Sequence, residues 1–429
     1  MKIQWRKGFT IVFLAGLLTA VGMTQADCAE KGPIKIGYIS PTTGNFAQFG
    51  RDMFDGFRMF LDEIHYQVAG REIELIREEE GTPATAVTKA RKLITSDKIN
   101  ILAGVWLTPS AYAVAPVVEE AGIPFVVTSS GGDDLTQRKR SDTLIRLTYT
   151  GCHLGHALGH FAYHKLGWRT AVVVAFDYAF AHEAIGAFQQ VFEDQGGKVI
   201  QKIWTPTDTM DFNPYVQSLN PEADGILDGV FGSSSVRFLR ALKVAGKYQK
   251  PHQIASPGTA VDETLLPALG DLALGIYSSY NWSAALQTPQ NNKFVERTHE
   301  FLKREASVGI SSNYTGADWI IRAIKAVDGD VENKPKLMKA LKAVEIEDSP
   351  RGPLRLDKYN HNIQNIYIRR VDRRADVDPV IRVPGNFQET QNTVVCTYPS
   401  VSQFWTYDPE KYMANPVYSR DNPPCKFCK

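Results

Sequence analysis

From residue 34 onward, short apolar runs alternate with amphipathic stretches. Ile34 to Ile39 predicts a strand, and the apolar residues after it recur at helical spacing: Phe54, Phe57, Phe60, Leu61 and Ile64. The same series predicts further strands at 72–76, 99–103 and 124–127 and helices at 85–96 and 111–120. Alternating strands and helices are typical of a parallel sheet, so a first α/β lobe is expected to extend to about residue 147.

A second series follows, beginning with a helix at 153–165. The run Ala171 to Phe176 is continuously apolar, as expected of a strand covered on both faces. Further strands are predicted at 198–204, 225–231 and 253–255, with helices between them. After residue 280 come helices at 292–305, 314–327 and 334–343 and strands at 353–356 and 366–371.

One sheet does not accommodate both series, so the predicted fold class is α/β with two doubly wound lobes joined by several crossings. The predicted boundaries are 33–147 plus 281–348 for lobe 1, 148–280 plus 349–383 for lobe 2, and 384–429 for a C-terminal extension. The extension is predicted to be an ordered wrap or a loose tail. Ligands are expected in the crevice between the lobes, at the carboxyl ends of the strands.

The amino terminus has the pattern of a secretory signal, predicted at residues 1–26. Basic residues precede an apolar run from Phe9 to Met23. That run is shorter than the roughly 20 residues needed to span a bilayer, so the mature protein is expected to be periplasmic and not membrane-inserted. Cys28 raises the alternative of a lipid anchor, but Asp27 precedes it where a small neutral residue is needed.

The charge balance argues against a polyanionic partner. Lys and Arg total 48 against 47 Asp and Glu, a formal net charge of +1. A balanced surface has no global field for a nucleic-acid backbone, so no nucleic-acid partner is predicted.

The chain has 5 Cys residues, an odd number for an oxidising compartment. Cys425 and Cys428 resemble a redox pair but follow prolines in a terminal segment rather than opening a helix. We expect a structural bridge instead, with Cys396 as the candidate partner of one of them.

The usual catalytic motifs are not found: no nucleophile elbow, no P-loop, no dinucleotide fingerprint and no zinc protease motif. No enzyme activity and no cofactor are therefore predicted. Four histidines recur on one predicted helix face, at His153, His156, His160 and His164. This spacing can present imidazoles to a metal ion, which leaves a metal-binding protein as an alternative function.

Short segments in a defined order resemble the leucine/isoleucine/valine-binding family of solute-binding proteins of ABC importers. The first two are Ser40-Pro41-Thr42-Thr43-Gly44 with Ala47-Gln48-Phe49-Gly50, and Gly104-x-x-x-Thr108 with Ala111 and Pro116. Ala121-Gly122-Ile123-Pro124 with Thr128 to Gly131, Asp177-Tyr178-Ala179-Phe180, and Ser349 to Pro353 with Ile366-Tyr367-Ile368 follow. The resemblance spans about residues 33–372.

The resemblance implies two Rossmann-like lobes with three crossings, a small-molecule ligand and a membrane permease as partner. The loops after the strands at 34–39, 99–103 and 124–127 are expected to offer N–H groups and hydroxyls to a carboxylate. The residues placed at the ligand by this resemblance are Phe49, Trp106, Thr108, Ser129, Ser130, Gly131, Phe180 and Phe231. Ordinary core packing remains the alternative for the three Phe residues.

Two positions depart from the family pattern. Pro257 stands where the amino-acid binders have a Glu for the ligand ammonium, and Gly131 replaces a hydroxyl residue. An unpaired buried ammonium costs several kcal/mol, so an α-amino acid ligand requires that Asp228 substitute for the missing Glu. The alternative for Asp228 is a structural ion pair or cap. The expected ligand is an aromatic or aliphatic carboxylate or amide. A ligand-sensing subunit of the same fold is a further alternative.

Overall fold

A computed structural model describes Met1, residues 32–374 and residues 389–428. The export signal predicted at 1–26 lies outside the described residues except for Met1, and Cys28 also lies outside them. No helix among the described residues combines the length and apolarity that crossing a bilayer requires.

The first sheet has six strands, and its central positions are apolar and buried. The strands are β1 (Ile34–Ser40), β2 (Gln67–Val68), β3 (Arg71–Glu79), β4 (Ile101–Gly104), β5 (Phe125–Val127) and β6 (Leu144–Arg146). Their order is β2-β3-β1-β4-β5-β6, and β1 runs parallel to both β3 and β4. The helices of this part are α1 (Ala47–Glu63), α2 (Pro83–Thr95) and α3 (Thr108–Glu120). The chain reverses its winding between β1 and β4, which creates a switch point there.

Within the described residues, the second sheet has eight strands. They are β7 (Thr170–Phe176), β8 (Lys198–Thr205), β9 (Gly225–Gly229), β10 (Ile254–Ser256), β11 (Tyr277–Tyr280), β12 (Arg355–Leu356), β13 (Asn362–Arg373) and β14 (Thr390–Val401). The order is β12-β13-β11-β10-β9-β7-β8, with β14 paired to β13. The helices are α4 (Gly151–His164), α5 (Ala179–Asp194), α6 (Asn213–Gln217), α7 (Ser234–Val244) and α8 (Leu266–Leu269). Here the switch point lies between β7 and β9.

Four helices complete the described chain: α9 (Pro289–Leu302), α10 (Val308–Ala326), α11 (Lys334–Ala343) and α12 (Pro409–Ala414). The backbone passes between the two halves three times, after β6, after β11 and after α11. On its return from β11 it contributes Trp319 and Ile320 of α10 to the core that holds Ile34 and Ile36. The predicted two-lobe α/β architecture is confirmed.

Helices α9 and α10 begin directly after capping residues rather than at the first apolar position. Helix α9 begins at Pro289 because the Thr288 hydroxyl accepts the Asn291 N–H. Helix α10 begins at Val308, six residues before the predicted start, because the Ser307 hydroxyl accepts the Ile310 N–H.

The C-terminal extension is an ordered wrap where it is described. Strand β14 pairs antiparallel with β13, and the segment after it packs Phe404 and Tyr412 against the buried Cys152. Gln403 and Thr136 exchange hydrogen bonds, which tie this segment to the loop after β5.

The cysteine pairing differs from the expectation. Cys425 and Cys428 form a disulfide with each other, and Cys396 has no disulfide partner among the described residues, so the predicted bridge from Cys396 to one of this pair is wrong. Two residues between the cysteines suffice to bring their Cα atoms to 5.4 Å, inside the usual range for a bridge.

Candidate ligand site between the lobes

The candidate site lies where the carboxyl ends of the strands from both sheets meet; we call this space the interlobe cleft. The loops after β1, β4 and β5 approach it from one half and those after β7, β9 and β10 from the other. Contacts join the halves directly. The Asn45 amide donates to the Phe231 carbonyl (3.3 Å), and the Thr264 hydroxyl donates to Asp52 (2.6 Å).

The turn after β5 is organised by Arg146, whose guanidinium is fully buried. It donates to the carbonyls of Ser130, Gly132 and Asp133. The Gly131 carbonyl accepts from the Gly151 N–H, and the N–H groups of Ser130, Gly131 and Gly132 make no hydrogen bond to any residue in the described part of the chain. Successive N–H groups in a turn can bind an anion, so these three N–H groups are candidates for receiving a carboxylate. We refer to it as the N–H cradle.

The start of α3 offers less than expected. The Trp106 and Leu107 N–H groups already donate to the carboxylate of Glu80, at 2.8 and 2.7 Å. Burial raises the pKa of Glu80 to about 7. The N–H groups of the two residues before α3 are therefore not available to a ligand, whereas the expectation for the first N–H groups of α3 itself stays a prediction. The Thr108 hydroxyl remains beside the cradle, where it accepts from the Ser130 hydroxyl at 3.4 Å.

Five aromatic rings pack together on the cleft side of the second sheet. We call this set the aromatic cage: Tyr149, Tyr178, Phe180, Phe231 and Tyr280. Phe180 is central, with its ring centroid 5.5 Å from Phe231 and 5.9 Å from Tyr149. A Cβ on Gly131 would lie 2.6 Å from Cε2 of Phe180, so the cage touches the N–H cradle and only Gly fits there.

Phe49 and Trp106 form a separate pair. Their rings stack with centroids 4.9 Å apart at an interplanar angle of 24°. Phe49 is buried, and Trp106 is partly buried and packs against the same hydrophobic core as the cage. The Ser129 hydroxyl points away to α10, because it accepts from the Asn313 amide at 3.0 Å. The ligand-binding roles of these residues stay predictions.

Asp228 lies inside β9 and is fully buried. Its Oδ1 accepts the Val230 N–H at 2.8 Å, and its Oδ2 has no partner among the described residues. Burial raises the pKa of Asp228 to about 8. A carboxyl that is neutral at pH 7 is a poor partner for an ammonium.

A buried carboxyl that the sequence did not single out crosses the cleft. Glu183 of α5 accepts the Tyr112 hydroxyl at 2.6 Å and the Asp133 N–H at 2.9 Å, both from the other half. Burial, and then the charge of Asp133, raise the pKa of Glu183 well above its usual range. The signal in the sequence that could have identified Glu183 was its position as the single acidic residue within the mostly apolar first part of α5, residues 179–188.

The four histidines on α4 contact different partners. His153 lies 3.3 Å from His361, and Nδ1 of His160 lies 2.8 Å from the Tyr398 hydroxyl. Within residues 32–374 and 389–428 no group of three or more His, Cys, Asp or Glu side chains is arranged to hold a metal ion.

We expect the double variant His156→Gln, His160→Gln to bind its solute as the unchanged protein does, because both imidazoles face the C-terminal extension rather than the cleft. Calorimetric titration measures the affinity, and metal analysis of the untagged protein measures the bound metal. Stoichiometric metal that disappears in the double variant would contradict this and favour a metal carrier.

Comparison with known proteins agrees with this geometry. The model of the periplasmic binding protein family matches residues 33–376. A relative from Brucella melitensis, a Leu/Ile/Val-binding protein homolog 6, is 29% identical over 367 residues, 83% of this chain and 92% of its own.

Two solved structures share the fold over most of their length. An ABC transporter substrate-binding protein from Sphaerobacter thermophilus is 32% identical with a TM-score of 0.77, covering 86% of this chain and 98% of its own. A solute-binding protein from Rhodopseudomonas palustris BisB5, solved in complex with 3,4-dihydroxybenzoic acid, is 27% identical with a TM-score of 0.79 and the same coverage. With two lobes, three crossings and a cleft at the strand ends, the chain belongs to the periplasmic binding protein family.

Proposed function

We propose that the protein captures a small carboxylate with an aromatic body in the interlobe cleft and delivers it to the permease of an ABC importer. The observation that carries this proposal is the contact between the N–H cradle and the aromatic cage. Gly131 belongs to the cradle, and its Cα approaches the Phe180 ring so closely that a Cβ would collide with it. A ligand bound there meets donors for an anion and rings for an apolar body.

The polar groups near the cage favour a ligand without an ammonium. Pro257 supplies no charge, and the raised pKa of Asp228 makes that carboxyl neutral at pH 7. Each aromatic contact with the ligand contributes about 0.5–1.5 kcal/mol beyond its buried area, which is enough to select rings without charge pairing. The dihydroxybenzoate complex of the Rhodopseudomonas palustris protein supports the same ligand class.

Export belongs to this proposal as well. The basic residues and apolar run of the first 26 residues are typical of a cleaved secretory signal. A periplasmic binder that performs no chemistry of its own passes its ligand to a membrane permease. Co-purification of that permease with the loaded protein tests the delivery step.

The ligand proposal is tested by calorimetric titration of the mature chain with benzoate, 4-hydroxybenzoate, benzamide, isovalerate and leucine. We expect both benzoates to bind and leucine not to. In a parallel thermal scan, a ligand at 100 times its dissociation constant adds about 2.7 kcal/mol of stability. Submicromolar binding of leucine with no response to the benzoates would overturn the proposal.

We expect Phe180→Ala to weaken benzoate binding at least tenfold, because the variant removes the ring that touches both Gly131 and Phe231. Isovalerate, which has no ring, should lose much less, and this contrast separates lost stacking from general damage. Tyr163→Ala is a suitable control, since it removes a ring from α4 that packs on Phe192. Equal losses for benzoate and isovalerate would contradict a stacking role.

A further inference from the structure

Tyr149 occupies the junction between the cradle and the cage. It lies between β6 and Thr150, the residue that caps α4. Its side chain is almost fully buried, and its ring meets Tyr280 edge-on with centroids 4.9 Å apart. A Cβ on Gly131 would lie 3.1 Å from Cε2 of Tyr149. Because Cε2 is bonded to the hydroxyl-bearing carbon, the phenol end of Tyr149 lies beside the N–H cradle.

One of the two hydroxyl protons of Tyr149 and Tyr280 has no hydrogen-bond acceptor among the described residues. Tyr280 donates to the Tyr149 hydroxyl at 3.1 Å, and neither hydroxyl has another hydrogen bond to a described residue. Two hydroxyls carry two protons, and one bond uses only one of them. Burial raises the pKa of both phenols, so both stay protonated donors at neutral pH. A buried donor without an acceptor destabilises the protein, and a ligand that supplies an acceptor relieves this.

We propose that the Tyr149 hydroxyl donates a hydrogen bond to the ligand carboxylate, which makes Tyr149 a specificity-determining residue and Tyr280 its positioning residue. This inference rests on the proposed function. Gly131 has no side chain, and the Ser130 hydroxyl already donates to Thr108, so a further hydroxyl donor beside Gly131 has to come from another segment. Tyr149 provides it, and the bond received from Tyr280 fixes the direction of the remaining proton.

The test compares Tyr149→Phe and Tyr280→Phe with the unchanged protein, with benzoate and the neutral benzamide as calorimetric probes. A hydrogen bond to a charged acceptor is stronger than one to a neutral acceptor. We expect Tyr149→Phe to weaken benzoate binding about tenfold to a hundredfold and benzamide binding clearly less. Tyr280→Phe should weaken benzoate binding a few-fold with the same preference. Tyr398→Phe, which removes a hydroxyl bonded to His160 outside the cleft, should change neither.

The outcomes separate this inference from the proposed function. If the unchanged protein binds benzoate and Tyr149→Phe binds it equally well, the role of Tyr149 is overturned and the aromatic carboxylate proposal stands. Equal losses for benzoate and benzamide also overturn the role, since they indicate altered packing. If Tyr149→Phe does not fold, a benzoate-selective loss in Tyr280→Phe supports the inference, and no loss there overturns it. No binding of either probe by the unchanged protein overturns both proposals.

Discussion

Glu263→Gln is expected to lower the free energy of unfolding by about 3–5 kcal/mol, because it leaves the charge of Arg369 buried and without its counter-ion. Arg369 is fully buried, and its Nη1 lies 3.2 and 3.1 Å from the two carboxylate oxygens of Glu263. The guanidinium also contacts the Ser278 hydroxyl, the Trp282 carbonyl and the Tyr280 ring, none of which carries a charge. Denaturant unfolding followed by far-ultraviolet circular dichroism measures the loss.

A surface pair provides the matched control. Arg373 and Asp271 lie 2.8 Å apart with side chains 57% and 65% exposed. Asp271→Asn should cost less than about 1 kcal/mol, since water screens such a pair. If Glu263→Gln costs no more than Asp271→Asn, then Arg369 has a route to solvent and the argument from burial is wrong. Replacing both buried partners with apolar residues should cost less than Glu263→Gln alone.

This buried pair also bears on the candidate site. Glu263 follows the loop after β10, and Arg369 lies on β13, opposite Ser278 of β11. The Arg369 guanidinium also stacks on Tyr280 at 5.0 Å from the ring centroid. The ion pair therefore supports the ring that orients Tyr149, and a loosened pair should weaken ligand binding together with stability.

The buried strands were predictable because each is a run of consecutive, mostly apolar residues. β1, β4, β7 and β9 lie within one or two residues of the predictions. Strands β6 and β11 were missed for a physical reason. β6 is three residues long and ends in Arg146, and β11 reads Tyr-Ser-Ser-Tyr, whose buried hydroxyls are satisfied only by distant partners. Ser279, for example, donates to the Leu154 carbonyl.

Strand β14 was also not predicted from the sequence pattern. Its residues alternate weakly, its register with β13 is interrupted twice, and its partner strand is separated from it by residues that carry no strand pattern. Pairing between distant segments decides such a strand, so a single sequence read in windows does not reveal it. The motifs that resemble the leucine/isoleucine/valine-binding family end before β14, so the resemblance did not predict this strand either.

The loops of the candidate site were predictable from the sequence, but the residues of other elements that contact these loops were not. Gly131, Thr108, Phe180 and Phe231 lie at strand ends, as their positions in the sequence implied. Tyr149 lies at an interlobe junction and Glu183 in the second turn of α5, and only the folded chain brings them to the cleft. The same is true of Glu80, which follows β3 and accepts the Trp106 and Leu107 N–H groups just before α3.

Asp228→Asn is expected to stabilise the protein increasingly as the pH rises from about 4 to about 8. In the unfolded chain this carboxyl ionises near its ordinary pKa of 3.8, whereas burial raises its pKa to about 8 in the folded protein. Between these values the folded state holds a proton that the unfolded state has lost, so the unchanged protein loses about 1.4 kcal/mol per pH unit through this group. Above pH 8 both states are ionised and the penalty is constant.

Asparagine keeps the acceptor for the Val230 N–H and has no charge to bury, so the variant lacks this slope. Its advantage should be small at pH 4, grow through pH 7 and level off near pH 9, as measured by denaturant unfolding at each pH. Asp224→Asn is the control with the opposite sign. Although partial burial opposes it, hydrogen bonds from the Arg169 and Thr170 N–H groups lower the pKa of Asp224, so its contribution is present at neutral pH and is lost in acid. A pH-independent difference between Asp228→Asn and the unchanged protein would show that this carboxyl is ionised in the folded state, and an ionised Asp228 would restore the case for an amino-acid ligand.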